Sequence, residues 1–172
     1  MNDMSDILYL MAGMVLFSLL VNNSNIALVR NSTLQAETEI EFNAIAVAQS
    51  IIDEAKTKAF DQVVAGSYGT LLDQNVLPSN QIPGAFTAAN SLGPDTGEVY
   101  PNFNDFDDYH GLNLTRTTGF GNYQVTATVF YVNPNNPETN IGARSINKRL
   151  MVTVTHPMLQ SPISLTYIKT YF

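Results

Sequence analysis

The stretch ILYLMAGMVLFSLLVNNSNIALV, residues Ile7–Val29, contains no Asp, Glu, Lys or Arg. The apolar spacing of an amphipathic helix continues from it, through Leu34 and Ile52, to about Phe60. A helix that is apolar on every side is stable only when a bilayer or other helices surround it. The sequence therefore predicts a long helix from Asp6 to about Ala65 whose first half is buried outside its own domain.

The apolar run has an internal weak point. Its dense part, Ile7–Val21, is about fifteen residues long, whereas a bilayer-spanning helix needs about 20. Adding Asn22–Asn25 and Ile26–Val29 restores a spanning length at the cost of four polar side chains. Because these polar residues compete for backbone hydrogen bonds, we expect a kink or a locally unwound segment at Asn22–Asn25.

Charge and composition exclude several classes of function. The 172 residues include 15 acidic and 8 basic side chains, which gives a formal net charge of -7. Lys148-Arg149 is the only pair of adjacent basic residues, so neither a nucleic-acid partner nor a polybasic membrane anchor is expected. The chain has no cysteine, which excludes disulfides and thiolate metal sites.

The second half of the chain has the alternating pattern of β-strands. Residues 66–111 are rich in Gly and Pro and are predicted to form a long loop. Strands joined by short links favour an antiparallel sheet, with a turn at Asn133–Pro137. Four strands are predicted: Leu112–Thr117, Gly121–Asn133, Lys148–Thr155 and Ile163–Phe172.

These elements predict an α+β fold. The apolar stripe Leu34–Ala59 is expected to cover the sheet while Ile7–Val29 projects beyond it. We predict an apolar helix half at residues 1–30 and a globular head at 31–172. The head is divided into a helix (31–65), a loop (66–111) and a sheet (112–172).

Candidate chemistry is confined to one acidic run. The oxygens of Asp105, Asp107 and Asp108 predict either a Ca²⁺ site or a capped acidic turn whose side chains bind backbone N–H groups. His110 and His156 are expected either to be structural or to lie on the surface. No phosphate-binding glycine loop or nucleophile elbow occurs in the sequence, and we predict no enzymatic activity.

Several runs, taken in order, resemble one family. AVAQSIIDEAKTKAFDQ (Ala46–Gln62), NFNDFDDYHG (Asn102–Gly111) and the strand runs GNYQVTATVFYV, NKRLMVTVTHP and ISLTYIKTYF are similar to segments of type IV pilins and pseudopilins. The resemblance is greatest to the minor pilin, mannose-sensitive-haemagglutinin-type branch, and it covers essentially the whole chain. It implies a pilin-like fold and a prokaryotic subunit, anchored in the inner membrane, that assembles with copies of itself into a filament on the cell surface.

The resemblance also implies assembly residues in the first helix half. We expect contacts between subunits at Asp3, Asp6, Leu10, Met14, Phe17 and Leu20, and helix melting on packing at Asn22, Asn23, Ser24 and Asn25. Family members carry a Glu at the fifth mature position, where this sequence has Ser5 if Met1 is the first mature residue. Asp3 or Asp6 is then predicted either to pair with a neighbouring subunit's N-terminal amine or to remain solvated at the positive end of the helix dipole.

Two other functions remain compatible with the sequence. A membrane-anchored pseudopilin of a secretion or uptake machine would share the fold. An anchored surface module, whose sheet and acidic loop bind glycan or Ca²⁺, would need the helix only for attachment. In each case an adhesive or structural role is expected.

Overall fold

The computed structural model describes residues 3–65, 84 and 86–171. It divides into two compact units, Met1–Ile40 and Glu41–Phe172. The described residues form an α+β arrangement with one long helix and a five-stranded antiparallel sheet. The α+β prediction is confirmed at this level.

Helix α1 spans Asp3–Thr57, a length of 55 residues. It is continuous through Asn22–Asn25, so the locally unwound segment expected there is not present, whereas a kink stays a prediction. Asn is less favourable than Ala in a helix by only about 0.7 kcal/mol, and apolar helix formers flank this segment on both sides. Melting on assembly stays a prediction.

The predicted end of α1 was wrong by about eight residues. The helix stops at Thr57, and a second short helix, α2, covers Gln62–Ala65. Between them the Ala59 N–H donates to the Asn104 carbonyl (3.2 Å) and Ala59 forms a bridge with Asp105. This pairing with the loop takes the backbone out of the helix.

The sheet contains strands β1 (Asn113–Thr118), β2 (Gly121–Asn133), β3 (Asn136–Asn140), β4 (Asn147–Thr155) and β5 (Ile163–Thr170). Their order is β1-β2-β4-β5, and β3 pairs with the end of β2 at Val132 and Asn133. Four of these strands were predicted. β3 was missed because the prolines around it indicate a turn, whereas a strand at a sheet edge tolerates proline.

The core of the second unit lies between one face of the sheet and the end of α1. From Ala44 to Ala55 the buried side chains of α1 are mostly alanines and isoleucines, which lets the helix backbone come close to its neighbours. The sheet side of the core is formed by alternate residues of two central strands, as their sequence pattern predicts: Tyr123, Val125, Ala127, Val129 and Tyr131 of β2, and Leu150, Val152 and Val154 of β4.

The loop that precedes the sheet is irregular over most of its described length. Between residues 84 and 106 the described part contains no helix or strand, and a single 3₁₀ turn follows at Asp107–Tyr109. Residues 66–83 and 85, which the loop prediction also covers, lie outside the described residues. The acidic run Asn102–Gly111 thus leads directly into β1.

Candidate functional site

The first unit presents an apolar helix surface. From Met4 to Val29 the large apolar side chains of α1 are between 43% and 84% exposed. An 18-residue window of this helix has a mean hydropathy of 2.0, and none of that window is buried. By length and composition the helix is apolar enough to cross a membrane. The 23 residues Ile7–Val29 rise about 34 Å, close to the roughly 30 Å of a bilayer core.

The predicted assembly residues lie on this surface. Leu10, Met14, Phe17 and Leu20 follow one another at three- and four-residue spacing and are 61–69% exposed. Asp3 and Asp6 occupy the first turn of the helix, where carboxylates are stabilised by the positive end of the helix dipole. Pairing of either acid with an amine of another subunit stays a prediction.

The three aspartates of the acidic run are buried, and two of them, Asp105 and Asp108, bind backbone N–H groups. Asp105 Oδ1 accepts hydrogen bonds from the N–H groups of Asp107 (2.9 Å) and Asp108 (3.3 Å). Asp108 Oδ2 accepts from Asn104 (2.9 Å) and Asp105 (3.0 Å). Among the described residues, no group of three or more acidic or histidine side chains is arranged to hold a metal ion. This geometry is that of the capped acidic turn, and Ca²⁺ binding stays a prediction.

Burial changes the acidity of two of these carboxyls. Burial and the adjacent Asp107 carboxyl together raise the pKa of Asp105 to about 9, against the opposite effect of the Lys148 ammonium. Burial also raises the pKa of Asp108 to about 6, against the effect of its backbone hydrogen bonds. A pKa in this range favours the protonated form of Asp105 at neutral pH.

A buried ammonium group lies beside this turn. The side chain of Lys148, in β4, is 0% exposed, and its Nζ contacts Asp61 Oδ2 at 2.8 Å and Asp107 Oδ1 at 2.6 Å. Its third hydrogen bond is donated to the Phe60 carbonyl at 2.8 Å. The rings of Phe60 and Tyr131 lie 4.6 and 5.2 Å from Nζ. We call Lys148, Asp61, Asp105 and Asp107 the Lys148 cluster.

Asp61 is held in the Lys148 cluster by several donors. Its Oδ2 accepts from the Thr87 N–H (3.0 Å) and the Tyr131 hydroxyl (3.4 Å), and its Oδ1 accepts from the Val63 N–H (3.3 Å). Burial, with the nearby Asp61 and Asp107 carboxyls as further causes, raises the pKa of Tyr131 above its usual range.

Sequence reasoning missed the Lys148 cluster. Lys148 and Arg149 are adjacent in the sequence, but neighbouring residues of a strand point to opposite faces of the sheet, so the two side chains do not form one basic patch. Lys148 shares the inward face with Leu150 and Val152, while Arg149 pairs with Glu138 of β3. The alternation of Leu150, Val152 and Val154, extended two residues towards the start of β4, places Lys148 on the buried face of the strand. The partners Asp61 and Asp107 lie 87 and 41 residues away and carry no local signal.

The two histidines have structural contacts. His110 Nδ1 accepts the N–H of Val129 (3.1 Å), and His156 Nδ1 accepts that of Met158 (3.2 Å). The His156 ring also lies against the ring of Tyr123, with 4.6 Å between centroids. Each imidazole therefore supports a turn or strand end, which is the structural one of the two roles expected from the sequence.

Comparison with known proteins returned no match. No protein-family model, no curated protein sequence and no solved structure is significantly similar to this chain. The function has to be inferred from the apolar helix surface, the sheet and the motifs themselves.

Proposed function

We propose that this protein is a structural subunit of a type IV pilus-like filament on a prokaryotic cell surface. The observation that carries the proposal is the apolar helix surface of the first unit, from Met4 to Val29, with none of its most hydrophobic window buried. Removing a large apolar side chain from water is worth about 1.5–3 kcal/mol, and this surface has many of them. A second apolar phase or surface is therefore expected to cover the helix from Met4 to Val29.

The proposed occupants are the inner membrane first and copies of the same helix afterwards. Lipid tails and neighbouring apolar helices keep the same surface out of water, so transfer between them has little hydrophobic cost. The first cation of the chain is Arg30, directly after the apolar stretch, and Asp3 and Asp6 are the only charges before it. The stretch is therefore free of charges that bundled helices would have to bury.

The head supports the same proposal. A long N-terminal helix, an irregular loop and a C-terminal antiparallel sheet follow one another in the order that the pilin resemblance implies. In such a filament the helices form the core, and the sheet and loop form the outer surface. The motif order from Ala46 to Phe172 adds support that no single run provides.

The proposal is tested by electron microscopy of the native host. Negative staining with antibody against the head should reveal thin labelled filaments in wild-type cells. Phe17→Glu should abolish them, because a buried carboxylate in the helix core would have no partner. Gln35→Glu adds the same charge at an exposed polar position of the same helix and should leave the filaments intact.

Membrane fractionation is needed to interpret the Phe17→Glu variant. The variant protein should still be found in the membrane fraction, which separates failed assembly from failed insertion. Labelled filaments of normal abundance and length in cells carrying Phe17→Glu, or their absence from wild-type cells under all growth conditions, would contradict the proposal.

A further inference from the structure

The Lys148 cluster joins two chemically complementary groups in a dry site. The Lys148 side chain is fully buried, the Asp107 side chain is 2% exposed, and their atoms Nζ and Oδ1 are 2.6 Å apart. Cγ of Asp107, the carbon of its side-chain carboxyl, is bonded directly to that oxygen. A buried ion pair is expensive because both charges lose their hydration. Water, which would hydrolyse or dilute reactive groups, is excluded by the surrounding core.

We propose that Lys148 and Asp107 condense spontaneously into an intramolecular isopeptide bond. The product is a neutral amide between Nζ of Lys148 and Cγ of Asp107, with one water molecule released. The reaction replaces a buried ammonium and a buried carboxylate with an uncharged group, which removes their desolvation penalty. The reaction needs no co-reactant. This proposal does not depend on the proposal that the protein forms a filament.

Asp61 has the contacts of the base in this reaction. Its Oδ2 lies 2.8 Å from Nζ, within reach of the proton that the ammonium must lose before it becomes nucleophilic. The donors from Thr87, Val63 and Tyr131 hold Asp61 in position. Asp107 is the acyl partner because the Asp105 carboxyl, which can supply a proton, interacts with Asp107.

Asp105 has the properties of the acid. Burial and the nearby Asp107 carboxyl together raise the pKa of its own carboxyl to about 9, and its Oδ1 accepts the Asp107 N–H at 2.9 Å. A proton passed from Asp105 to Asp107 makes the Asp107 carboxyl uncharged and its carbon electrophilic. The N–H groups of Asp107 and Asp108, which donate to Asp105 Oδ1, stabilise the carboxylate left behind.

The atoms and charges balance over these steps. Asp61 takes one proton from the Lys148 ammonium, and the neutral amine attacks Cγ of Asp107 to form the C–N bond. A second proton moves from nitrogen to the departing hydroxyl group, the C–O bond breaks, and water leaves. Asp61 ends protonated, Asp105 ends as a carboxylate, and the net charge of the cluster is unchanged.

The bond would tie the start of β4 to the turn that precedes β1. These residues are 41 positions apart, so the cross-link closes a large loop across the sheet. A covalent link of this kind restricts the unfolded chain, as a disulfide does, and it is independent of redox conditions. The amide would give a chain without cysteine a covalent cross-link.

Intact mass spectrometry of the full chain, purified in mild detergent and then denatured, tests the proposal. The wild-type mass should be lower than the sequence mass by one water molecule. Digestion and fragmentation should yield a branched peptide joining Lys148 to Asp107. A mass equal to that of the sequence, a loss of water located elsewhere, or a link to Asp61 instead would overturn the proposal.

Two variants sharpen the result. Lys148→Arg keeps the positive charge but has no amine for an amide, so its mass should equal its own sequence mass. Asp107→Asn can form the same amide by releasing ammonia, so its final mass should equal that of the cross-linked wild type. Water loss that persists in Lys148→Arg would also overturn the assignment, whether or not that variant folds.

Discussion

Asp108 illustrates how burial controls the chemistry of a single residue in this protein. Its side chain is 1% exposed, and its Oδ2 accepts two backbone N–H groups from the turn that leads into β1. Burial nevertheless raises the pKa of this carboxyl to about 6, with Glu98 as a further cause. The folded protein therefore binds a proton that the unfolded chain releases at lower pH.

This shift predicts a pH-dependent contribution of Asp108 to stability. Because the folded pKa lies above the unfolded value of 3.8, the contribution is complete below about pH 4 and is lost as the pH rises through about 6. Asp108→Asn keeps an oxygen acceptor but does not titrate. Urea unfolding at about pH 4.5 and about pH 7.5 should show the variant gaining stability relative to wild type at the higher pH. An equal difference at both pH values would contradict the shift.

At the scale of elements, chemically identical residues of helix α1 differ in burial. Ile51 is 0% exposed on the buried face of the second unit, whereas Ile45, six residues earlier, is 42% exposed. The sequence pattern alone assigned both residues to one apolar stripe. The packing of the folded head decides which positions of the stripe lose contact with water.

A matched pair of substitutions tests this difference. Ile51→Ala should lower the free energy of unfolding by about 2–5 kcal/mol, since it removes buried methyl groups and leaves a cavity. Ile45→Ala should change it by about 0.5 kcal/mol or less. The chain has no Trp, so the near-ultraviolet circular dichroism of the buried tyrosines provides the signal during urea unfolding in detergent. Equal effects of the two substitutions would show that the buried face of α1 is assigned wrongly.

Strand β3 is the strand of the described sheet that the sequence pattern did not predict. Alternating apolar residues predicted β1, β2, β4 and β5 within a few residues, because their burial on one face imposes a period of two. β3, Asn136–Asn140, has no apolar period and is largely exposed. β3 pairs with β2 across the short turn at Pro134 and Asn135, and its Glu138 pairs with Arg149 of β4, contacts that strand propensity cannot reveal.

At the scale of the whole molecule, the apolar surface of the first unit dominates behaviour in solution. We expect the full chain to be soluble as single copies in detergent micelles and to form large assemblies when the detergent is diluted below its critical micelle concentration. The reason is that the surface from Met4 to Val29 then has only other copies to contact. Sedimentation velocity at both detergent concentrations measures the change.

The Phe17→Glu and Gln35→Glu pair provides the control for this transition. Phe17→Glu should shift assembly to higher protein concentration, whereas Gln35→Glu should behave as wild type. A full chain that stays monomeric without detergent would contradict the role of the apolar surface. In assembled material, a backbone that remains helical through Asn22–Asn25 would exclude the predicted melting.

The sequence by itself determined the long apolar helix, four of the five strands and the α+β class. Each of these depends on local periodicity, which burial on one face imposes on neighbouring residues. Only the tertiary structure decided where α1 ends, how β3 pairs, and that Lys148 meets Asp61 and Asp107. Those features depend on contacts between residues tens of positions apart, and a buried charge is tolerated only where the folded chain supplies its partners.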